Sequence, residues 1–218
     1  MISTNRCKIF FDFDNTIARY DVFDDLVERF ASDNNWVKLE QRWRKGQIGS
    51  KECLSGQLKC VKAPKGIIDK YLSQVSLDPY YSKIAAFLRT KRIKPVVLSD
   101  NFDYILRGIL NSHSLNHVKL YCNKLRWVKG KIKLSFPFRD KKCKICAHCK
   151  KKNLLVNAES DSIIIYIGDG RSDTCPASYA DIIFAKEDLL RYCQTKDIAC
   201  IRFKGLKSVY QYLRRSIK

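Results

Sequence analysis

With 218 residues, 45% of them hydrophobic, the chain can build one sizeable core, or a core domain carrying a small insert. No run of about 18 uninterrupted apolar residues argues for a membrane span, and Met1-Ile2-Ser3-Thr4-Asn5-Arg6 passes straight into the first predicted strand, so a cytoplasmic protein without a signal peptide is expected. The net charge of +20, from 42 Lys and Arg against 22 Asp and Glu, favours anionic ligands; spread along the chain without a basic tail, it predicts a general basic surface rather than a dedicated nucleic-acid site.

Cys7–Phe13 reads as the first strand. Four helices are then predicted, over Asp21–Ala31, Trp36–Lys45, Ser50–Val61 and Pro64–Gln74, with breaks at Gly46-Gln47-Ile48-Gly49 and Ala63-Pro64. Some sixty residues of short helices are too many for an ordinary crossover, which predicts a helical insert over 17–76 and a core domain from 1–16 and 77–218. Strand–helix alternation then resumes with helix Pro79–Thr90, buried strand Lys94–Ser99 and helix Phe102–Asn111. A hairpin over Leu125–Ser135 turns at Lys129-Gly130. Strand Ser162–Ile167, helix Asp173–Ala180, strand Asp181–Ala185, helix Glu187–Thr195, a short strand Ile198–Phe203 and a helix from Leu206 complete the chain. Such alternation predicts an α/β fold, a mainly parallel sheet between helical layers, with its site at the carboxyl ends of the strands.

At those ends the chemistry gathers. Side chains alternate along a strand, so Asp12 and Asp14 project together past the first strand while Phe11 and Phe13 turn away. Two adjacent acids invite a cation and push their pKa values apart, so that one can stay an ionised nucleophile while the other exchanges protons. Ser99 follows a buried strand and precedes a helix, a combination suited to holding phosphate. Gly168-Asp169-Gly170-Arg171-Ser172-Asp173 places Asp169 where it could share a cation with Asp12, and Lys150 could supply a fixed positive charge; Asp173 also reads as an N-cap of the next helix.

In order and spacing, Asp12-Phe13-Asp14-Asn15-Thr16, Ser99, a central Lys and Gly168-Asp169-Gly170-Arg171-Ser172-Asp173 resemble the four motifs of the haloacid dehalogenase superfamily. The insert resembles its C1 cap. Leu98-Ser99-Asp100-Asn101-Phe102-Asp103-Tyr104, Cys146-Ala147-His148-Cys149-Lys150 and Gly168–Ala177 look like its MtnX-like branch, close to phosphoserine phosphatases. The resemblance implies a Rossmann-like α/β/α core and a Mg2+-dependent phosphomonoesterase. In it Asp12 is the nucleophile that forms an aspartyl-phosphate, and Asp14 handles protons. Ser99, Asp100 and Lys150 hold the phosphoryl group. The metal set is Asp12, Asp14 (through its backbone carbonyl), Asp169 and Asp173. The substrate it suggests is a small phosphorylated metabolite of the 2-hydroxy-3-keto-5-methylthiopentenyl-1-phosphate type, with phosphoserine phosphatase or phosphotransferase activity as alternatives and a basic nucleic-acid-binding module as an alternative of another class. Asn15 stands where Gly is common, and Asp100-Asn101 where phosphoserine enzymes usually show glycines. Lys141, Lys142, Lys151 and Lys152 compete with Lys150 for the central role.

Thr16 and Asp21 near the hinge, and Phe102 and Asp103 with Tyr104 beside Ser99, are the expected pocket residues; Arg42, Arg44 and Lys45 read more simply as a solvated helix face. Of ten cysteines, only Cys143, Cys146 and Cys149 cluster. Three thiolates are one ligand short of a closed zinc site, so a metal-free thiol cluster is preferred to structural zinc.

Overall fold

A computed structural model describes residues 2–218. Its centre is a seven-stranded sheet of β1 (Cys7–Phe11), β2 (Val96–Phe102), β3 (Lys119–Val128), β4 (Lys131–Ser135), β5 (Ile163–Gly168), β6 (Ile182–Ala185) and β7 (Ile201–Arg202), in the order β4-β3-β2-β1-β5-β6-β7. Only β4 runs antiparallel to its neighbour. β1 lies mid-sheet and is covered on both faces, which explains its unbroken apolar run. Ile9 and Phe11 join a core with Val97, Ile165 and Ile167 on one side. Phe10 joins Val96, Leu98, Ile164 and Tyr166 on the other.

Helices α1 (Val22–Phe30), α2 (Asn35–Arg44), α3 (Ser50–Cys60) and α4 (Lys65–Gln74) fill the stretch between β1 and α5 (Pro79–Thr90). The chain leaves and re-enters the core side by side. Ala18 and Leu77 form an antiparallel bridge, and the Asp78 N–H donates to the Ile17 carbonyl at 2.8 Å. With α5, the helices α6 (Asp103–Ser112) and α10 (Leu206–Ser216) pack on one face. On the other lie α7 (Lys150–Asn157), α8 (Thr174–Ala177) and α9 (Glu187–Thr195).

Three boundaries differ from expectation in ways that matter. β1 stops at Phe11, releasing Asp12 and Asp14 into a turn in which Asn15 takes φ 53°, a left-handed conformation Asn tolerates better than most residues. β2 continues past Ser99 to Phe102, with an irregular register against β3 between Leu98 and Phe102. The helix expected from Asp173 is a 3-10 turn, Arg171–Asp173, followed by the four residues of α8. The hairpin turn at Lys129-Gly130 is where it was expected, both residues having positive φ. Two features had no predicted counterpart: the first half of β3, and α7, whose Lys-rich start Lys150-Lys151-Lys152-Asn153 hides a helix capped by the Cys149 sulfur.

Candidate active site

Strands β1, β2 and β5 and helix α7 deliver their terminal residues to one point. The Asp12 N–H donates to the Ile167 carbonyl at 2.9 Å, tying the end of β1 to β5. Lys150, the first residue of α7 and 2% exposed, lies between two carboxylates. Its ammonium donates to Asp12 Oδ1 and to Asp173 Oδ1, each at 2.7 Å. A buried ion pair survives only when its remaining hydrogen-bonding capacity is met. Asp173 meets this fully: Oδ1 also accepts from the Tyr166 hydroxyl at 2.6 Å, and Oδ2 accepts the N–H groups of Asp169 and Gly170 at 3.0 Å.

Asp173 therefore braces the Asp169–Gly170 backbone and Lys150. It makes no side-chain cap for α8, contrary to one sequence reading. Gly168 permits this packing because a Cβ there would lie 2.6 Å from Asp173 Oδ2. Space, rather than a positive φ, is what requires glycine here. Of the competing lysines, only Lys150 enters the site; Lys151 is turned outward over the Tyr179 ring.

Asp14 turns away from this cluster. Its Oδ1 accepts the Val22 N–H at the start of α1 at 2.9 Å, and the Asn101 side-chain amide donates to both of its oxygens at 3.3 and 3.1 Å. Asn101 in turn donates its N–H to Ser99 Oγ at 3.0 Å. Sequence reasoning assigned Asn101 no role; its position two residues after a buried Ser was the only signal. Asp100 is held by the His148 N–H, which donates to Oδ1 at 3.2 Å, and by Asn123, whose amide donates to its carbonyl at 2.5 Å.

Burial dominates the electrostatics. It raises the Asp12 carboxyl to about 7, with the Asp173 charge adding to the rise and Lys150 opposing it. Asp169 rises to about 9 through burial and the charges of Asp12 and Asp173. Asp14 is pushed well above the usual range by burial and the nearby charges of Asp21 and Asp12, which outweigh its bonds from Asn101 and Val22. Burial raises Asp100 to about 6, against the attraction of Lys150. Burial works against the Lys150 charge, but Asp12, Asp173 and Asp100 outweigh it and hold the ammonium protonated.

Ligating atoms of Asp12, Asp169 and Asp173 all lie within 4.8 Å of one another, the one such group among the described residues. Three buried carboxylates against one ammonium leave an excess of negative charge, and oxygen donors suit a hard divalent cation such as Mg2+. The donor set therefore fits that ion. Asp14 is not among these carboxylates. Nor do the sulfurs of Cys143, Cys146 and Cys149 form a comparable group.

Above the carboxylates is a cavity of about 150 Å³. Asp12, Asp14, Ser99, Asp100, Asn101, Lys150, Asp169 and the backbone turn at Gly170 line its floor. Asp21, Asp24, Glu40, Trp43, Ser50 and Gln57 from the insert form the opposite wall. Arg171 joins the two sides: its guanidinium donates to the Arg44 carbonyl at 3.0 Å and lies 5.7 Å over the Trp43 ring.

Of the five expected pocket residues, Asp21 lines the cavity and also caps α1, accepting the Asp24 N–H at 2.9 Å. Thr16 stands behind the floor, donating to Asp169 Oδ1 at 3.1 Å. Phe102 and Asp103 do not reach the cavity. β2 runs three residues further than expected, which places the Phe102 ring between Phe23 and Phe136 and turns Asp103 toward the Leu125 N–H and Arg126. Tyr104 reaches Asp69 instead. Arg42 pairs with Glu52 and Arg44 with Glu40 on the helix surface.

The family model described as Putative Phosphatase matches residues 7–197. The chain is 26% identical over 211 residues to the 2-hydroxy-3-keto-5-methylthiopentenyl-1-phosphate phosphatase of Geobacillus thermodenitrificans, covering 95% of each chain. It is similar in fold to a HAD family hydrolase from Salmonella enterica, with TM-score 0.74 and 17% identity, covering 94% of this chain and 69% of that one. A phosphoserine phosphatase carrying an analogue of the phospho-aspartyl intermediate gives TM-score 0.69 at 17% identity, with 95% and 98% covered. Matched along nearly its whole length, with Asp12 and Lys150 paired at the strand ends, the chain belongs to the Putative Phosphatase family and is an MtnX-like phosphatase of the haloacid dehalogenase superfamily.

Proposed function

We propose that the chain is a Mg2+-dependent phosphomonoesterase in which Asp12 attacks phosphorus and carries the phosphoryl group as an aspartyl-phosphate. The observation that carries this reading is the buried contact of the Lys150 ammonium with Asp12. It opposes the burial that favours the protonated carboxyl, and it sets a positive charge beside the transferring group. Asp14, with its pKa raised, is supplied with the proton that the departing alkoxide needs, and it takes a proton back when water attacks the phosphoenzyme. Asn101 and the Val22 N–H orient Asp14 for both tasks. Ser99, Asp100 and Lys150 line the space for the phosphoryl oxygens. Mg2+, held by Asp12 and Asp169 with the Asp14 backbone carbonyl, would add positive charge on the phosphoryl oxygens, while Asp173 supports the metal loop.

The insert over 17–76 acts as a cap that closes the cavity and selects the leaving group. The substrate is a small phosphorylated metabolite, and the similarity to the Geobacillus 2-hydroxy-3-keto-5-methylthiopentenyl-1-phosphate phosphatase supports an enol phosphate of that kind. In the test, Asp12→Asn loses about 10⁴-fold or more of Mg2+-dependent hydrolysis of p-nitrophenyl phosphate while its circular dichroism is unchanged. A folded, fully active variant would refute the assignment.

A further inference from the structure

Between β4 and α7 runs a loop that this chemistry leaves unused. In it the Cys146 N–H donates to the Cys143 sulfur at 3.5 Å, folding the two cysteines into one four-residue turn. Both are partly open to solvent, whereas Cys7, Cys53, Cys60, Cys122 and Cys193 are buried. Burial pushes the Cys143 thiol up, but the N–H groups of Cys146 and Ile145 outweigh it and hold the group below its ordinary range. Cys146 stays well above that range through burial and the charge of Asp100. The pair thus contains one sulfur suited to be an ionised attacker and one suited to remain a protonated partner.

The same loop braces the catalytic pocket at three points. The Ile145 carbonyl accepts the Ser50 N–H at 2.7 Å, and Gly49 packs so tightly that a Cβ would stand 2.4 Å from the Lys144 carbonyl oxygen. The His148 N–H holds Asp100, and Cys149 caps the helix that begins with Lys150. An S–S bond is about 2.05 Å long, so closing one across a four-residue turn draws in the backbone between the sulfurs. That backbone is Lys144 and Ile145, the part that touches Gly49 and Ser50.

We propose that Cys143 and Cys146 are a peroxide-sensitive modification site whose disulfide loosens the loop's hold on Ser50 and Asp100 and lowers phosphatase activity. The effect on activity rests on the phosphatase reading above. In the first step the Cys143 thiolate attacks one oxygen of a hydroperoxide; the O–O bond breaks, leaving a sulfenic acid and a hydroxide that takes a proton from solvent. The Cys146 sulfur then attacks the Cys143 sulfur. The S–S bond forms as the S–O bond breaks, and the departing hydroxide takes up the Cys146 proton as water. Two thiols are oxidised and one peroxide is reduced to water.

The test treats the Mg2+-supplied full chain with hydrogen peroxide and reads three quantities: cysteine pairing by peptide mass mapping, amide exchange around residues 49–53, and p-nitrophenyl phosphate hydrolysis. The expected result is a Cys143–Cys146 disulfide, faster exchange around Ser50, and a fall in hydrolysis of about tenfold that dithiothreitol reverses. Cys143→Ser and Cys146→Ser keep the basal rate and lose the peroxide response; Cys193→Ser responds like the unaltered chain. Oxidation elsewhere while this pair stays reduced overturns the proposal, as does a disulfide that leaves exchange and hydrolysis unchanged, or a Cys143→Ser variant that peroxide still inactivates reversibly. Failure of the phosphatase reading looks different: the reduced chain hydrolyses nothing, and mapping and exchange still decide the thiol pair.

Discussion

On the sheet side of the pocket each buried charge has a fixed partner, whereas on the insert side Asp21 caps α1 but Asp24 has no partner among the described residues and Glu40 is shared with an exposed arginine. Lys150 spans Asp12 and Asp173, and Asp173 accepts four hydrogen bonds. Across the cavity, the Asp24 carboxylate has no hydrogen-bond partner among the described residues, and burial with the charges of Asp21 and Glu40 raises it to about 8. Glu40 divides itself between Arg44 outside, at 2.8 Å, and Gln57 inside, at 3.4 Å. Rigid positioning serves the step common to all phosphate monoesters, while a looser wall suits the part of the substrate that varies. Chemistry should therefore fail when the floor is altered, and selectivity should shift when the wall is.

Removing the central cation is the harshest way to test that division. Lys150→Met leaves Asp12 and Asp173 buried without their counter-charge, which should destabilise the fold by about 3–5 kcal/mol in urea denaturation. The same variant should lose about 10³-fold in kcat/KM. An active, stable Lys150→Met would mean that the floor does not depend on its ion pairs.

The second prediction concerns pH. Folded-state pKa values of about 7 for Asp12 and about 9 for Asp169 lie above the ordinary carboxylate value of 3.8. The metal-free folded chain thus binds more protons than the unfolded chain, so these groups make it less stable as pH rises from about 4 toward 9. A cation must displace those protons. Mg2+ affinity by calorimetry should accordingly rise about a hundredfold per pH unit below pH 7, where both protons are displaced, and about tenfold per unit between pH 7 and 9, and Mg2+ should raise the melting temperature more at pH 8 than at pH 5.5. A pH-independent affinity would contradict the reading of the floor.

Smaller effects refine the boundary between the two sides. Gly168→Ala forces a Cβ toward Asp173 and should cost about 1–3 kcal/mol, read as a lower melting temperature and a slower enzyme. Asp24→Asn alters only the wall, so it should change KM about threefold among different phosphate esters with kcat for p-nitrophenyl phosphate nearly unchanged. If Asp24→Asn instead abolished turnover of every ester, the wall would belong to the chemistry.

The same contrast explains what the amino-acid sequence makes legible. Asp12, Ser99 and Asp169 follow buried apolar strands, and a period of two with a turn signal suffices to bring such positions together. Lys150 was a candidate among several neighbouring lysines that the sequence could not separate, because its helix begins with three lysines and shows little apolar periodicity. Asn101 and Tyr166 escaped notice because their roles lie in whom they touch, Asp14 and Asp173, and residue type carries no trace of that. Phe102 and Asp103 were misplaced by a boundary: three extra residues on β2 turn the Phe102 ring into the core. Arg42 and Arg44 lie on the solvated helix face on which they were expected, but the wall residues Asp24, Glu40 and Trp43 were not singled out, because helix orientation depends on packing that a single sequence leaves open.

The central claim is that the phosphoryl group passes through Asp12. Quenching the chain in acid during turnover with Mg2+ and p-nitrophenyl phosphate, reducing with borohydride and mapping peptides reads it directly, since an acyl phosphate is reduced to an alcohol where a free carboxylate is not. The account predicts conversion of Asp12 to homoserine, absent without substrate. Active turnover with Asp12 unconverted, or with conversion at Asp14 or Asp169 in its place, would contradict it.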